Sequence, residues 1–326
     1  MFFQFRKKKP FEVAYTSALN AIVDGNNKKA LKLLRSIVTH NTSHVNAYLQ
    51  MGNILRQEGN IKGAIKIHQS LTVRPNLDKI TKKEIHKSLA LDFIENSQFV
   101  KAENEVKLVL KIEKKNLWAN ELLLKIYDKK EQWDDALKIC KIIQKIKNEK
   151  NPRKVARYFS LQGKEELEKG KFNEAFSLFQ KALKVFPDYQ LPNLYLGDYY
   201  AKEGNLSDAI NYWEKYVLSD NVNNGKVFNK IEDSLFEINR FEEVEDFYRK
   251  VLKHNPFDLH AIMKLSNILE QKGKIEVAIK LINEFLLNNQ TSIIGKLIKL
   301  KLNLFLSGNF DASKNLESII NYELNK

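Results

Sequence analysis

Cysteine is almost missing from this chain. Cys140 stands alone among 326 residues, which excludes a disulfide framework and any zinc or iron–sulfur site built from the chain's own cysteines. A reducing, cytoplasmic setting is the expectation. Proline and glycine are scarce too, 6 and 12 in all, and an all-β chain with many tight turns needs more of both, so the shortage favours helices. No run comes near the roughly 18 consecutive apolar residues that a membrane-spanning helix needs. The six histidines form no His-Glu-x-x-His pattern, and there is no phosphate loop, Gly-x-Ser-x-Gly turn or cysteine–histidine pairing. His40 and His44 flank Asn41-Thr42-Ser43, a break between helices, so they share no helical face. No catalytic residue, cofactor or metal ligand is assigned, and the chain is expected not to be an enzyme.

What is abundant is positive charge: 54 Lys and Arg against 40 Asp and Glu, a net +14. The excess is uneven. Residues 107–154 hold 14 basic and 7 acidic side chains, whereas 231–250 hold 3 basic and 7 acidic. No Gly-aromatic RNA motif, finger or Arg-rich block accompanies the lysines, so no nucleic-acid partner is expected. The opening "MFFQFRKKKP" places three Phe before four basic residues, the reverse of a secretory signal. It reads either as a frayed tail or as a weak peripheral membrane contact through residues 1–9, with Phe in the acyl boundary and lysines on anionic headgroups.

A period runs through the rest. Small residues recur at Ala30, Ala64, Ala102, Ala136, Ala175, Ala209, Val244, Ala278 and Ala312, with separations of 34, 38, 34, 39, 34, 35, 34 and 34 residues. Five of the eight equal the tetratricopeptide period. Glycine stands five before the small residue at Gly25, Gly59, Gly170, Gly204 and Gly273, where a tight helix-to-helix turn is needed. A second small residue, twelve before, is Gly52, Gly163, Gly197 or Ser266, where two helices can approach. Four after comes a large packing residue such as Leu34, Phe179, Trp213, Tyr248 or Ile282, and Pro187 and Pro256 close two units. The 38 and 39 spacings place extra residues in loops near 74–81 and 147–154. The predicted fold is all-α, a right-handed superhelical solenoid of about nine helix–turn–helix repeats. Its expected division is a tail at 1–10, repeats 1–4 over 11–150 and repeats 5–9 over 151–326, one continuous solenoid.

"YFSLQGKEELEKGKFNEAFSLFQKALKVFPD" resembles the tetratricopeptide consensus at nearly every defining position. That resemblance implies an adaptor whose first helices line a concave groove for protein partners. Chaperone-binding members carry Lys and Asn at the fifth and ninth positions of a first helix. The pairs here are Leu49/Asn53, Lys87/Leu91, Glu121/Lys125, Ser160/Lys164 and Leu194/Asp198, so that carboxylate clamp is not expected.

"MGNILRQEGNIKGAIKIHQSL" (51–71) goes further: its Gly-Asn-x-x-Arg run and Ile-His-Gln ending are similar to the second repeat of the lipopolysaccharide assembly protein B family. "LALDFIENSQFVKAE" with Asp92, "LLLKIYDKKEQWDDAL" with Tyr127 and Trp133, and "VARYFSLQGKEELEKGKFNEA" resemble the repeats that follow. The family's members help set lipopolysaccharide levels by delivering the deacetylase committed to lipid A synthesis to a membrane protease. They usually begin with a membrane helix and end with a rubredoxin-like metal domain on four cysteines; only the Phe/Lys tail stands at one end and no cysteine follows Cys140, so neither module is expected here. The resemblance implies a cytoplasmic protein, peripheral at the inner membrane, with the deacetylase and the protease as partners; an adaptor for an unrelated client is the alternative.

Candidate residues follow from both readings. By repeat position Asn53, Arg56, Lys87, Trp118 and Lys125 fall on the groove, Trp118 being either core or a partner anchor and Arg56 either anchor or plain surface. His68, Gln69, Asp92, Tyr127 and Trp133 carry the family match. His68 stands where Phe179 and Trp213 stand in other units, so it is either a buried imidazole bonded to backbone or a residue that orients a neighbouring repeat. Gln69 is expected to point outward.

Overall fold

A computed structural model describes residues 10–219 and 225–324; the basic N-terminal stretch 1–9, read above as a tail or membrane contact, lies outside them. Among the described residues the chain is all helix, eighteen helices packed in consecutive pairs. The pairs are α1 (Pro10–Val23) with α2 (Asn27–His40), α3 (Val45–Gln57) with α4 (Ile61–Thr72), and α5 (Lys79–Glu95) with α6 (Phe99–Ile112). Next come α7 (Leu117–Lys129) with α8 (Trp133–Lys147), α9 (Pro152–Glu168) with α10 (Phe172–Val185), and α11 (Leu191–Lys202) with α12 (Leu206–Val217). The last are α13 (Gly225–Glu237) with α14 (Glu243–His254), α15 (Leu259–Gln271) with α16 (Ile275–Asn288), and α17 (Ile293–Leu306) with α18 (Phe310–Leu324). Two compact units divide at Tyr158/Phe159, inside α9.

The turn within each pair has one requirement, a left-handed residue. Gly25, Gly59, Gly170, Gly204 and Gly273 all have φ between 69° and 82°. Where the sequence offers no glycine, Ser97, Glu131 and Asn239 take the same place at φ 56° to 57°. The ninth unit corrects one expectation. Its turn glycine is Gly308 at φ 78°, and five residues on stands Ser313, 1% exposed, whereas Ala312 is only half-buried. Ser313 is therefore the ninth small residue, and its Oγ donates to the Lys301 carbonyl at 3.1 Å. The other left-handed residues, Asn76 and Asn148, sit in the two longer loops between helix pairs.

Packing explains the rest of the pattern. The recurring alanines are all 0% exposed from Ala30 to Ala278, and Val244 is 3%. A Cβ built on Gly52 would meet His68 Nε2 at 2.3 Å, one on Gly163 would meet Phe179 Cε1 at 2.5 Å, and one on Gly197 would meet Trp213 Cδ1 at 2.2 Å. Each glycine is thus the socket for the large residue sixteen positions later, and His68 fills the slot that elsewhere holds an aromatic ring. Burying such a ring supplies about 1.5–3 kcal/mol, and no single pair can bury its apolar stripe alone.

Two glycines seven residues apart therefore fail in different ways. Gly197→Ala overpacks the seam and should cost about 1–3 kcal/mol. Gly204→Ala meets nothing within 4 Å and strains only the backbone at φ 78°, so about 1 kcal/mol is expected. Urea titration followed by circular dichroism should rank them in that order.

Candidate functional site

Two residues of the family match, His68 and Asp92, meet Arg56 of the groove set at one carboxylate. Asp92, on α5, is 0% exposed. Its Oδ1 accepts from Arg56 Nη1 of α3 at 2.7 Å, and its Oδ2 faces His68 Nδ1 of α4 at 2.6 Å. His68 Nε2 lies 3.1 Å from the Leu49 carbonyl. A carbonyl only accepts, so Nε2 donates to it, which leaves Nδ1 turned to the carboxylate that Arg56 also holds. Arg56 also donates to the Ser88 carbonyl at 3.2 Å and through Nη2 to Asn53 Oδ1 at 3.1 Å, while Ser88 Oγ donates to the same Asn53 oxygen at 3.1 Å. Five side chains from three helices thus tie the second pair to the third.

Chemically this is a brace. His68 and Asp92 are fully enclosed and Arg56 is 15% exposed, so the three saturate one another and offer nothing to a substrate. Sequence position did not reveal Ser88, whose hydroxyl completes the network.

The remaining candidates separate. Lys87 and Trp118, both half-buried, come together: the ammonium sits 5.4 Å from the indole centroid and also reaches Glu84 at 2.9 Å. Tyr127 is buried on α7 and donates to Glu103 Oε1 at 3.3 Å. Glu103 also takes Lys107 and Lys130 at 2.6 Å each. Burial opposes its ionisation, but the two ammoniums outweigh that and hold its carboxyl below the usual range. Gln69 and Lys125 are exposed, and Trp133 is half-buried at the start of α8 away from the Asp92 brace.

Similar braces cross other junctions. Tyr158 donates to Asp128 at 2.9 Å, and burial together with that carboxylate raises the phenol well above its ordinary value. In the second unit Lys230 reaches Asp198 at 2.5 Å, Lys264 reaches Asn229 at 3.0 Å as well as Glu232, and Lys301 reaches Asn267 at 2.8 Å and Glu270 at 2.6 Å. Each lysine stands on a first helix and bonds the first helix before it. Lys301, 1% exposed, sits in "IIGKLIKLKLNLFL", where a lone charge on the buried stripe was the available signal.

Paired helices, the left-handed turn and the small-to-large seam define a tetratricopeptide-repeat protein, a scaffold fold that is typically non-catalytic. The tetratricopeptide repeat family matches residues 166–223. Over most of its length the chain is distantly related to lipopolysaccharide assembly protein B. It is 25% identical to the Haemophilus influenzae protein over 301 residues, 88% of this chain and 74% of that one. With the Escherichia coli K12 protein it shares 20% over 264 residues, 81% of this chain and 68% of that one. A solved tetratricopeptide repeat protein from Parabacteroides merdae aligns with 78% of this chain and 97% of its own at 14% identity and a TM-score of 0.41. Among the described residues no helix is long and apolar enough to cross a membrane, and no group of three or more His, Cys, Asp or Glu is placed to hold a metal ion.

Two measurements test the braces. Asp92→Leu leaves Arg56 and His68 facing an apolar side chain and should cost about 3 kcal/mol, whereas the triple Arg56→Met, His68→Phe, Asp92→Leu should recover most of it. Denaturant midpoints of the three chains decide. Glu103 has a folded-state value below its ordinary 4.5, so the unfolded chain binds more protons. Its stabilisation is present above pH 4.5 and should fade as the pH falls below that value, a loss that Glu103→Gln removes from the stability–pH profile.

Proposed function

We propose that this chain is a non-enzymatic scaffold that regulates lipid A synthesis by presenting the committed-step deacetylase to a membrane protease at the cytoplasmic face of the inner membrane. The observation that carries this reading is the relation to lipopolysaccharide assembly protein B across 88% of the chain. The residues of the family-like "MGNILRQEGNIKGAIKIHQSL" stretch support it, because Arg56 and His68 build one brace around Asp92. On this reading the first helices present the client surface. Asn53 and Arg56 are spent on the brace, which leaves Lys87, Trp118 and Lys125 as the contacts that a client would meet. The Trp118 indole is a ready anchor, since Trp is enriched among the residues that dominate interface binding.

Affinity capture with crosslinking, using the full chain in its own cell lysate, tests the assignment. Deacetylase and protease should both be recovered. Trp118→Ala with Lys125→Ala should weaken client capture by about tenfold or more while leaving the helical circular-dichroism signal and a cooperative urea transition in place. Recovery of neither enzyme would overturn the lipid A role and leave an adaptor for another client.

A further inference from the structure

Helix α18 pairs with α17 but also lies across the first helices of the two preceding pairs. Its Glu317 accepts from Asn267 Nδ2 of α15 at 2.6 Å and sits 3.4 Å from Lys301 Nζ of α17. Ile320, 0% exposed, and Leu324, 9%, belong to the same core as Phe228 of α13 and Met263 of α15, with Leu316 packed against it. The seated stripe is therefore Leu316, Ile320 and Leu324 at i, i+4 and i+8, with a carboxylate at i+1: an amphipathic helix lying on a first-helix face.

The fit is incomplete. A cavity of about 320 Å³ remains between α18 and that face, lined by Phe228, Asn229, His260, Lys264, Glu317 and Leu324 among others. His260 Nε2 is buried there with no hydrogen-bond partner. On its other side α18 is largely open: Phe310, Ile319 and Tyr322 are 57%, 53% and 66% exposed, although the Phe310 ring meets Phe305 of α17 edge-on at 4.9 Å. The turn at Gly308 and the Ser313 hydroxyl on the Lys301 carbonyl join it to α17, and Lys301 keeps Glu270 and Asn267 as partners when Glu317 leaves.

We propose that the face of α13, α15 and α17 is a binding groove for an amphipathic helix of a protein partner, and that α18 occupies it in the free chain as an internal competitor. The partner helix carries aliphatic residues at i, i+4 and i+8, a carboxylate beside the first of them for Lys301, and a polar group that meets His260 Nε2 and fills the cavity. This rests on the scaffold reading only in taking the ligand to be a protein; it names no client, and its failure would leave the capture result standing.

A labelled synthetic peptide of residues 310–324 is the probe, titrated against the full chain by fluorescence anisotropy. In the parent chain the tethered helix is present at a high effective concentration and should hold binding weak. Ile320→Asp loosens the tethered helix and should tighten peptide binding by about tenfold or more. Adding Met263→Asp to that variant should return binding to the parent level. Equal binding by the parent and Ile320→Asp chains overturns the proposal. Hydrogen exchange on the parent chain gives a second reading that needs no variant: α18 amides should open in denaturant that leaves α15 and α17 protected. Coincident opening of α18 with α17, or a dimer that exchanges α18 between copies, also overturns it.

Discussion

The rest of the structure depends on how closely two helices of a pair can approach. Where Gly52, Gly163 and Gly197 remove a Cβ, a large ring settles directly on the opposing backbone, and an added methyl would stand 2.2 to 2.5 Å from that ring. The distance is set by what is absent from one helix, so the large residue opposite can be chosen for other reasons. Phe179 and Trp213 use the slot for apolar burial. His68 uses it to carry two hydrogen-bonding nitrogens into the core without widening the seam.

That substitution links packing to specificity. Apolar seams alone would let one pair stack on any other, since all present similar stripes. The polar braces differ from junction to junction: Arg56 and His68 on Asp92, Tyr127 and Lys130 on Glu103, Tyr158 on Asp128, and lysines on Asn or Glu in the second unit. A pair stacked on the wrong neighbour would leave a buried charge without its partner, and that penalty is larger than the gain from any one correct bridge. Order along the chain is thus written in buried charge, and shape is written in glycine and alanine.

Periodicity made the helix pairs legible, because the alanine, the turn glycine and the large residue sit at fixed offsets that only stacked hairpins need. It also placed His68 in a buried slot and Gln69 outside. It misplaced the ninth small residue at Ala312, since Ser313 does the same work with a hydroxyl that the carbonyl of Lys301 satisfies. The Asp92 brace could be named only as a family-like set; its geometry joins residues 36 apart, Arg56 and Asp92, which no local pattern relates. Glu103 and Lys301 escaped notice for the opposite reason. Lys301 is a lone charge on an apolar stripe, a signal that periodicity carries, whereas nothing in the sequence says which of the charges near Glu103 turns inward.

The turn residues carry a consequence for how such a chain drifts. Ser97, Glu131 and Asn239 hold the left-handed conformation that glycine holds elsewhere, at a strain of about 1–2 kcal/mol each for an ordinary side chain. The helices on either side impose the turn, so its residue is free to change. A seam glycine opposite a ring has no such freedom. The tetratricopeptide family match covers 166–223, a stretch that retains Gly170, Gly197 and Gly204 together. Outside it Gly25, Gly59, Gly273 and Gly308 keep the turn, but at Ser97, Glu131 and Asn239 the same architecture persists without it, and the repeat outlives its own signature.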